Sequence, residues 1–296
     1  MRHRIRKAPH HAKHGVRRHW SFEKFWRGPL PKVILICVVA VCLLTVFFRM
    51  SGNSDINVLP EIRERGTVRI GVLSDEMPFS KVEDSATATG FEAELAALIG
   101  EQILGGPGVV YVPVTVKSDL AMLANEEVDL LISRVEVTAS NQESYQLSSV
   151  YYQDPVMLMT KNGATLDLSS SETKIGVIPN ATIKPMLTDY LTANGYPALV
   201  VDVSSYPDAV QALKEGKIQA FCAEQSVLNR YLANDLSLQN IQIGHLDYAI
   251  ATRNRERDLA NLIEKALAQM RDDGTLAPLY QKYSLTMPVE QTTESK

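Results

Sequence analysis

"RIGVLSDEMPFS", residues 69–80, is an apolar run that breaks into two consecutive carboxylates, Asp75 and Glu76, and then into Met-Pro-Phe. Its front half reads as a strand, and Pro78 stops the ladder because it has no N–H to donate. Such an ending is either a plain polar turn or the mouth of a ligand cleft. The chain that follows is regular. "GFEAELAALIGEQIL" sets Phe91, Leu95, Leu98, Ile99 and Ile103 on one helical face. "VVYVPVTV" reads as a strand, "SDLAMLANEE" as a helix with Ser118 at its N-cap, and "VDLLIS" as a buried strand. After Tyr151-Tyr152 a second series begins: strands "PVMLMT" and "KIGVI", a helix from about Thr182 to Ala193, strand "ALVVDV", helix "YPDAVQALKEG", strand "IQAFCA" and helix "EQSVLNRYLAN". Strand "DYAIATR", the helix "RDLANLIEKALAQMRDDG" and a short "LAPLYQKY" helix close the body.

This alternation predicts α/β layers with mainly parallel sheets, and its two series predict two lobes. Ligands of open α/β sheets lie beyond the C-terminal ends of the strands. The turns after "RIGVL", "VDLLIS" and "IQAF" are such ends, so all three are expected at a cleft.

Charge divides the chain. Residues 1–32 hold ten Lys/Arg against one acid, a balance of +9, whereas the rest carries 20 against 33, a balance of −13. Between them "VILICVVAVCLLTVFF", residues 33–48, has no charge and is flanked by Lys32 and Arg49. As a helix it spans about 24 Å, and snorkelling of its flanks makes up the rest of a hydrocarbon core. The alternative is a cleaved signal peptide, but no small-x-small site follows in "FFRMSGNSD", and Cys37 and Cys42 lack the small preceding residue of a lipoprotein signal. An uncleaved anchor over 33–49 is expected, with the basic tail in the cytoplasm and the body outside the cell membrane. The histidines of "HRIRKAPHHAKH" admit a metal reading, yet a basic tail drawn to anionic lipid accounts for them. In the body Cys222 is the lone cysteine and His245 the lone histidine, so no metal or haem site is expected there by spacing. At −13 the body is not a nucleic-acid binder.

The motifs "RIGVLSDEMPFS", "TGFEAELAALIG", "ANEEVDLLIS", "VTASNQESYQLSSVYY", "KIGVIPNAT", "ALKEGKIQAF" and "YAIATRNRERDLANLIEKALAQMRDDGTLAPLYQKY" follow one another in an order that resembles the extracellular solute-binding proteins of polar-amino-acid ABC transporters. The resemblance covers roughly residues 60–285 and implies the two-lobed periplasmic-binding-protein type 2 fold, closing on a small solute like a hinged trap. It implies lobe 1 over 64–152 plus 249–285 and lobe 2 over 153–248, after a linker over 50–63 and before a C-terminal tail over 286–296. It implies no enzyme and no cofactor, with a small polar solute and an ABC permease as partners.

The resemblance also assigns residues. Glu76 stands where an aromatic ring usually meets the ligand, and Phe79 either packs beneath that turn or faces the cleft. Asn141 stands where an arginine usually forks onto the ligand carboxylate, and Glu136 where a small hydroxyl residue is usual. "PNAT" replaces a Gly-Thr-Thr turn, with Ala181 at one hydroxyl position and Thr182 in agreement. Glu224 matches an aspartate that usually pairs with the ligand amino group. Arg134 either replaces the missing cation or pairs with Glu136. The excess of Glu76, Glu136 and Glu224 favours a ligand with a cationic group. Alternatives are a sensing or partner-binding module that no longer takes α-amino acids and, less favoured, a dehydratase-like enzyme.

Overall fold

The computed structural model describes residues 33, 37–42, 55–180, 182–232 and 235–288. The chain divides into two units, residues 1–54 and residues 55–296. In the first unit Val33 and residues 37–42 are helical and exposed. Among the described residues no helix is long and apolar enough to cross a membrane. The basic tail over 1–32 and most of the expected anchor over 33–49 lie outside the described residues, as do Ala181 and the end of the C-terminal tail.

The second unit opens with α1 (Leu59–Arg65), β1 (Val68–Leu73), β2 (Asp75–Glu76), β3 (Ser80–Val82), β4 (Ala88–Thr89) and α2 (Phe91–Leu104). It continues with β5 (Val109–Val114), α3 (Asp119–Ala124), β6 (Leu130–Glu136), α4 (Ala139–Ser144), β7 (Tyr145–Leu147) and β8 (Tyr152–Lys161). Then come β9 (Lys174–Val177), α5 (Ile183–Ala193), β10 (Leu199–Asp202), α6 (Tyr206–Lys214), β11 (Ala220–Glu224) and α7 (Gln225–Asn229). The last elements are β12 (Leu236–Arg253), α8 (Arg257–Asp272) and α9 (Leu276–Lys282).

The main sheet runs β10-β9-β11-β8-β12-β6-β1-β5, with β7 added to β12. β10, β9 and β11 are parallel, and so are β6, β1 and β5. β8 and β12 are antiparallel to each other and to the group beside each, so they join two parallel half-sheets. Val68, Ile70, Val72 and Leu73 of β1 are all buried, as befits a strand covered on both faces. α2 lays Phe91, Leu95, Ile99 and Ile103 on the core, and α8 does the same with Leu259, Ile263, Ala266, Leu267 and Met270. Those apolar intervals of three and four residues are why both segments are helices rather than strands.

Three local expectations change. The Ser118 side chain makes no cap bond to α3; its Oγ instead accepts from the Thr115 N–H at 3.1 Å. Of the segment "EQSVLNRYLAN", Gln225–Asn229 is helical and the described residues after it, Arg230 to Leu232, are not. The "DYAIATR" strand starts eleven residues earlier, at Leu236, because its front half pairs with β8 from Lys161 onward, with register shifts at Leu238–Gln242 and Gln242–Gly244. The stretch "SGNSDINVLPEIRERG", which reads as a polar linker and then a short helix closing at Gly66, does form α1 up to Arg65 with Gly66 as its cap, and buries Leu59 and Ile62.

Candidate functional site

The turn after β1 is held from behind by α2. Phe91 N–H donates to Pro78 O at 2.9 Å and Glu92 N–H to Phe79 O at 2.7 Å, while Phe79 N–H closes the turn on Glu76 O at 2.9 Å. The Met77–Pro78 bond is cis. Gly90 is required here: its φ is +113°, and a Cβ on it would lie 2.3 Å from Phe79 O. So clamped, the turn buries Phe79 (1% exposed) and leaves Glu76 at the edge.

Phe79 reaches the join between the half-sheets through Arg134. Arg134 lies in β6 with φ +57°, in the left-handed region. Its N–H is shared between Glu92 Oε1 at 2.8 Å and the Tyr151 hydroxyl at 3.2 Å. Its guanidinium lies 5.0 Å from the Phe79 ring centroid and 5.1 Å from that of Tyr248, between two aromatic faces. Nη2 donates to the Tyr248 hydroxyl at 2.9 Å and faces Glu224 Oε1 at 3.4 Å, whereas Nε is buried with no partner among the described residues. Arg134 therefore pairs with Glu224, not with Glu136.

Glu224 ends β11 and is 6% exposed. Its other contact is the Tyr206 hydroxyl at 3.5 Å, so both of its bonds are long for a charged acceptor. Two further carboxyls lie close by. Burial pushes Glu92 up to about 7, against the opposing pull of the Tyr151 hydroxyl and Arg134. Burial likewise pushes Asp154 up to about 6, although Arg134 and the N–H and hydroxyl of Ser226 favour its charge.

Two other contacts link segments at the ends of β1 and β6 to segments that follow β11 and β9. Glu76 forms an ion pair with Arg230, just past α7, and Glu136 Oε2 accepts from Thr182 Oγ1 at 2.6 Å. All three glutamates expected to meet a cationic ligand thus have partners from the chain itself. Asn141 does not reach across. Its Nδ2 donates to Glu136 O at 2.8 Å and its N–H to the Thr138 Oγ1 that caps α4. At the start of α5 the Asn180 Oδ1 accepts from Ile183 N–H at 2.6 Å and, at longer range, from Thr182 and Lys184 N–H. Asn180 thus supplies the cap that Thr182 does not.

Beside the Glu76–Arg230 pair is a cavity of about 340 Å³, lined by Met77, Pro78, Tyr152, Gln225, Asn229 and Arg230 among others. It falls within the range of small-molecule sites. Among the described residues no cluster of His, Cys, Asp and Glu could hold a metal ion. Cys222 is buried, and burial pushes its thiol up, away from reactivity.

The sequence reading missed Tyr248, Arg230, Asn180, Tyr206, Glu92 and Asp154. Tyr248 had a signal in strand register, because it sits opposite both Glu136 and Tyr152. Asp154 lies within β8 as a buried polar residue in a mostly apolar strand, and the others sit at turns or helix ends where polar residues carry no periodic signal.

The sequence profile of the bacterial extracellular solute-binding proteins, family 3, matches residues 68–286. The chain is 25% identical over 260 residues to the L-cystine-binding protein TcyJ of Escherichia coli (strain K12), covering 86% of this chain and 96% of that one. It is 24% identical over 269 residues to the ABC transporter glutamine-binding protein GlnH of Bacillus subtilis (strain 168), covering 86% and 97%. Among solved structures, an ancestral cationic amino acid solute binding protein (AncCDT-1) superposes with a TM-score of 0.62 at 24% identity, over 77% of this chain and 99% of that one. The chain therefore belongs to the bacterial extracellular solute-binding proteins of family 3, has their mixed α/β two-lobed periplasmic-binding fold, and is a binding protein rather than an enzyme.

Proposed function

We propose that this family member is the membrane-tethered, extracytoplasmic solute-binding component of an ABC importer, and that it holds an amino acid or similarly small polar solute between its lobes for delivery to a permease. Lobe 1 takes 64–152 plus 249–285 and lobe 2 takes 153–248. Residues 33–49 are the single-pass anchor, with the basic tail over 1–32 in the cytoplasm.

The observation that carries this reading is the Arg134–Glu224 pair: two buried opposite charges from different half-sheets, held at 3.4 Å with Arg134 Nε unpartnered among the described residues. A zwitterion inserted there would give its carboxylate to Arg134 and its ammonium to Glu224, and both long contacts would be replaced by shorter ones. Arg134 thereby takes the part that the family pattern gives to the arginine expected at Asn141. Phe79 backs the guanidinium, while Glu76, Glu136 and Thr182 close the rim. Curated relatives named as cystine-binding and glutamine-binding support an amino acid as the solute.

The test is calorimetric titration of the full chain in detergent with the common amino acids, cystine, polyamines and short peptides. Saturable binding of at least one zwitterion is expected. A second reading, a partner-binding module whose cleft no longer takes free solutes, is favoured by Asn180, whose side chain already occupies the N–H groups at the start of α5. A flat response from folded protein across the whole set would select it.

A further inference from the structure

We infer that Arg134 is the built-in occupant of a guanidinium cage, and that it sets the specificity of the cleft by excluding solutes with a cationic side chain. This rests on the proposal that the solute lies between the lobes. The cage has four walls. Phe79 and Tyr248, each 1% exposed, present ring faces 5.0 and 5.1 Å from the guanidinium carbon. The Tyr248 hydroxyl accepts from Nη2 at 2.9 Å, and the Glu224 carboxylate stands at 3.4 Å. Two π faces, a neutral acceptor and a carboxylate are what a free guanidinium ligand needs. Here the chain fills that place itself.

The backbone holds the occupant in position. The other described non-glycine residues with positive φ, Glu126 and Ser284, lie in turns, whereas Arg134 lies within a strand. Its N–H is fixed by Glu92 and Tyr151, so the left-handed geometry sends the side chain into the cage rather than along the strand. With the cage full, a solute's cationic side chain finds both rings covered, and Glu224 has room for one ammonium only, the α-amino group of the solute. A zwitterion with a neutral side chain needs only Arg134 and Glu224 themselves. The glutamates of the cleft therefore do not make it a site for basic solutes.

Arg134→Gly tests this cleanly, because glycine suits φ +57° and keeps the N–H that Glu92 and Tyr151 bind. The full chain, wild type and variant, is titrated with N-methylguanidinium and with L-arginine. The variant is expected to bind both at least about 10-fold more tightly than wild type, as an emptied cation–π site with a carboxylate allows. Arg134→Met, whose apolar stem refills the space between the rings, should gain nothing, and adding Glu224→Gln to Arg134→Gly should remove the gain. If Arg134→Gly is poorly folded, its melting temperature should rise on addition of methylguanidinium while that of wild type does not. The inference is overturned if a folded Arg134→Gly binds methylguanidinium no better than wild type, if wild type already binds it as tightly, or if the cation restores no destabilised variant. Failure of wild type to bind any neutral amino acid would count against the proposed function instead, and would leave the cage result standing.

Discussion

Asp129 and Glu224 are both buried carboxylates set against arginines, and they are bonded very differently. Asp129 accepts from Arg69 Nη2 at 2.7 Å, from Arg69 N–H at 2.8 Å and from Arg65, so both of its oxygens are served by close donors. Glu224, scarcely more exposed, has one arginine contact at 3.4 Å and one tyrosine contact at 3.5 Å. The first arrangement fastens the start of β1 to the start of β6 within one half-sheet and leaves nothing for a ligand to add. The second spans the join between half-sheets and is left loose. Equal burial with unequal bonding separates a carboxylate that stabilises the fold from one available for recognition.

The largest effect that would break this contrast is on Asp129. Asp129→Ala leaves two arginines and a backbone N–H without their acceptor, and a loss of about 3 kcal/mol in urea unfolding is expected, as for a broken buried pair. Solute binding should be unchanged. A loss below about 1 kcal/mol would mean that Asp129 is no better bonded than Glu224.

Next in size is the pH dependence set by Glu92, whose neighbours are Tyr151, Arg134 and Asp119. Its carboxyl is pushed from an ordinary 4.5 up to about 7, so the folded state favours the protonated form. That contribution is complete below the ordinary value and is lost as pH rises through about 7, and Asp154 acts in the same direction around 6. Stability should fall between pH 5 and 8. Glu92→Gln, which stays neutral, should match wild type near pH 5 and exceed it by about 2 kcal/mol at pH 8. Parallel urea-unfolding profiles for the two proteins would contradict this.

The smallest effect is at the rim. The Glu76–Arg230 pair is more than a third exposed on both sides, and a double-mutant cycle with Glu76→Gln and Arg230→Ala should give a coupling near 0.5 kcal/mol. A value above about 2 kcal/mol would make the rim pair a structural tie like that of Asp129 rather than a weak surface contact.

Much of the fold was legible because apolar periodicity is a local property. β1, α2, β6, α5 and α8 each carry their burial in their own spacing. The sequence reading takes only the second half of β12 as a strand, although "LSLQNIQIGH" alternates Leu236 and Leu238, then Ile241 and Ile243, with polar residues; the alternation slips at Asn240, where the pairing with β8 also shifts register. The site was legible as positions rather than as bonds. Glu76, Glu136 and Glu224 fall at strand ends by pattern, but that Arg230, Thr182 and Arg134 would meet them depends on how the half-sheets join. No local signal marks Arg134 as left-handed, because its conformation follows from the buried Glu92–Tyr151 pair that binds its N–H. The anchor lies mostly outside the described residues and rests on hydropathy and charge alone.

The central claim is that Glu224 is held loosely because it is kept for a solute. The most direct test is the dissociation constant of the best-bound amino acid for the wild-type chain and for Glu224→Gln, measured by calorimetry alongside thermal melts. Affinity should fall about 100-fold in the variant, the loss expected when a charged partner of an ammonium is neutralised, while the melting temperature moves by only a few degrees. Equal affinity in the two proteins would contradict the account.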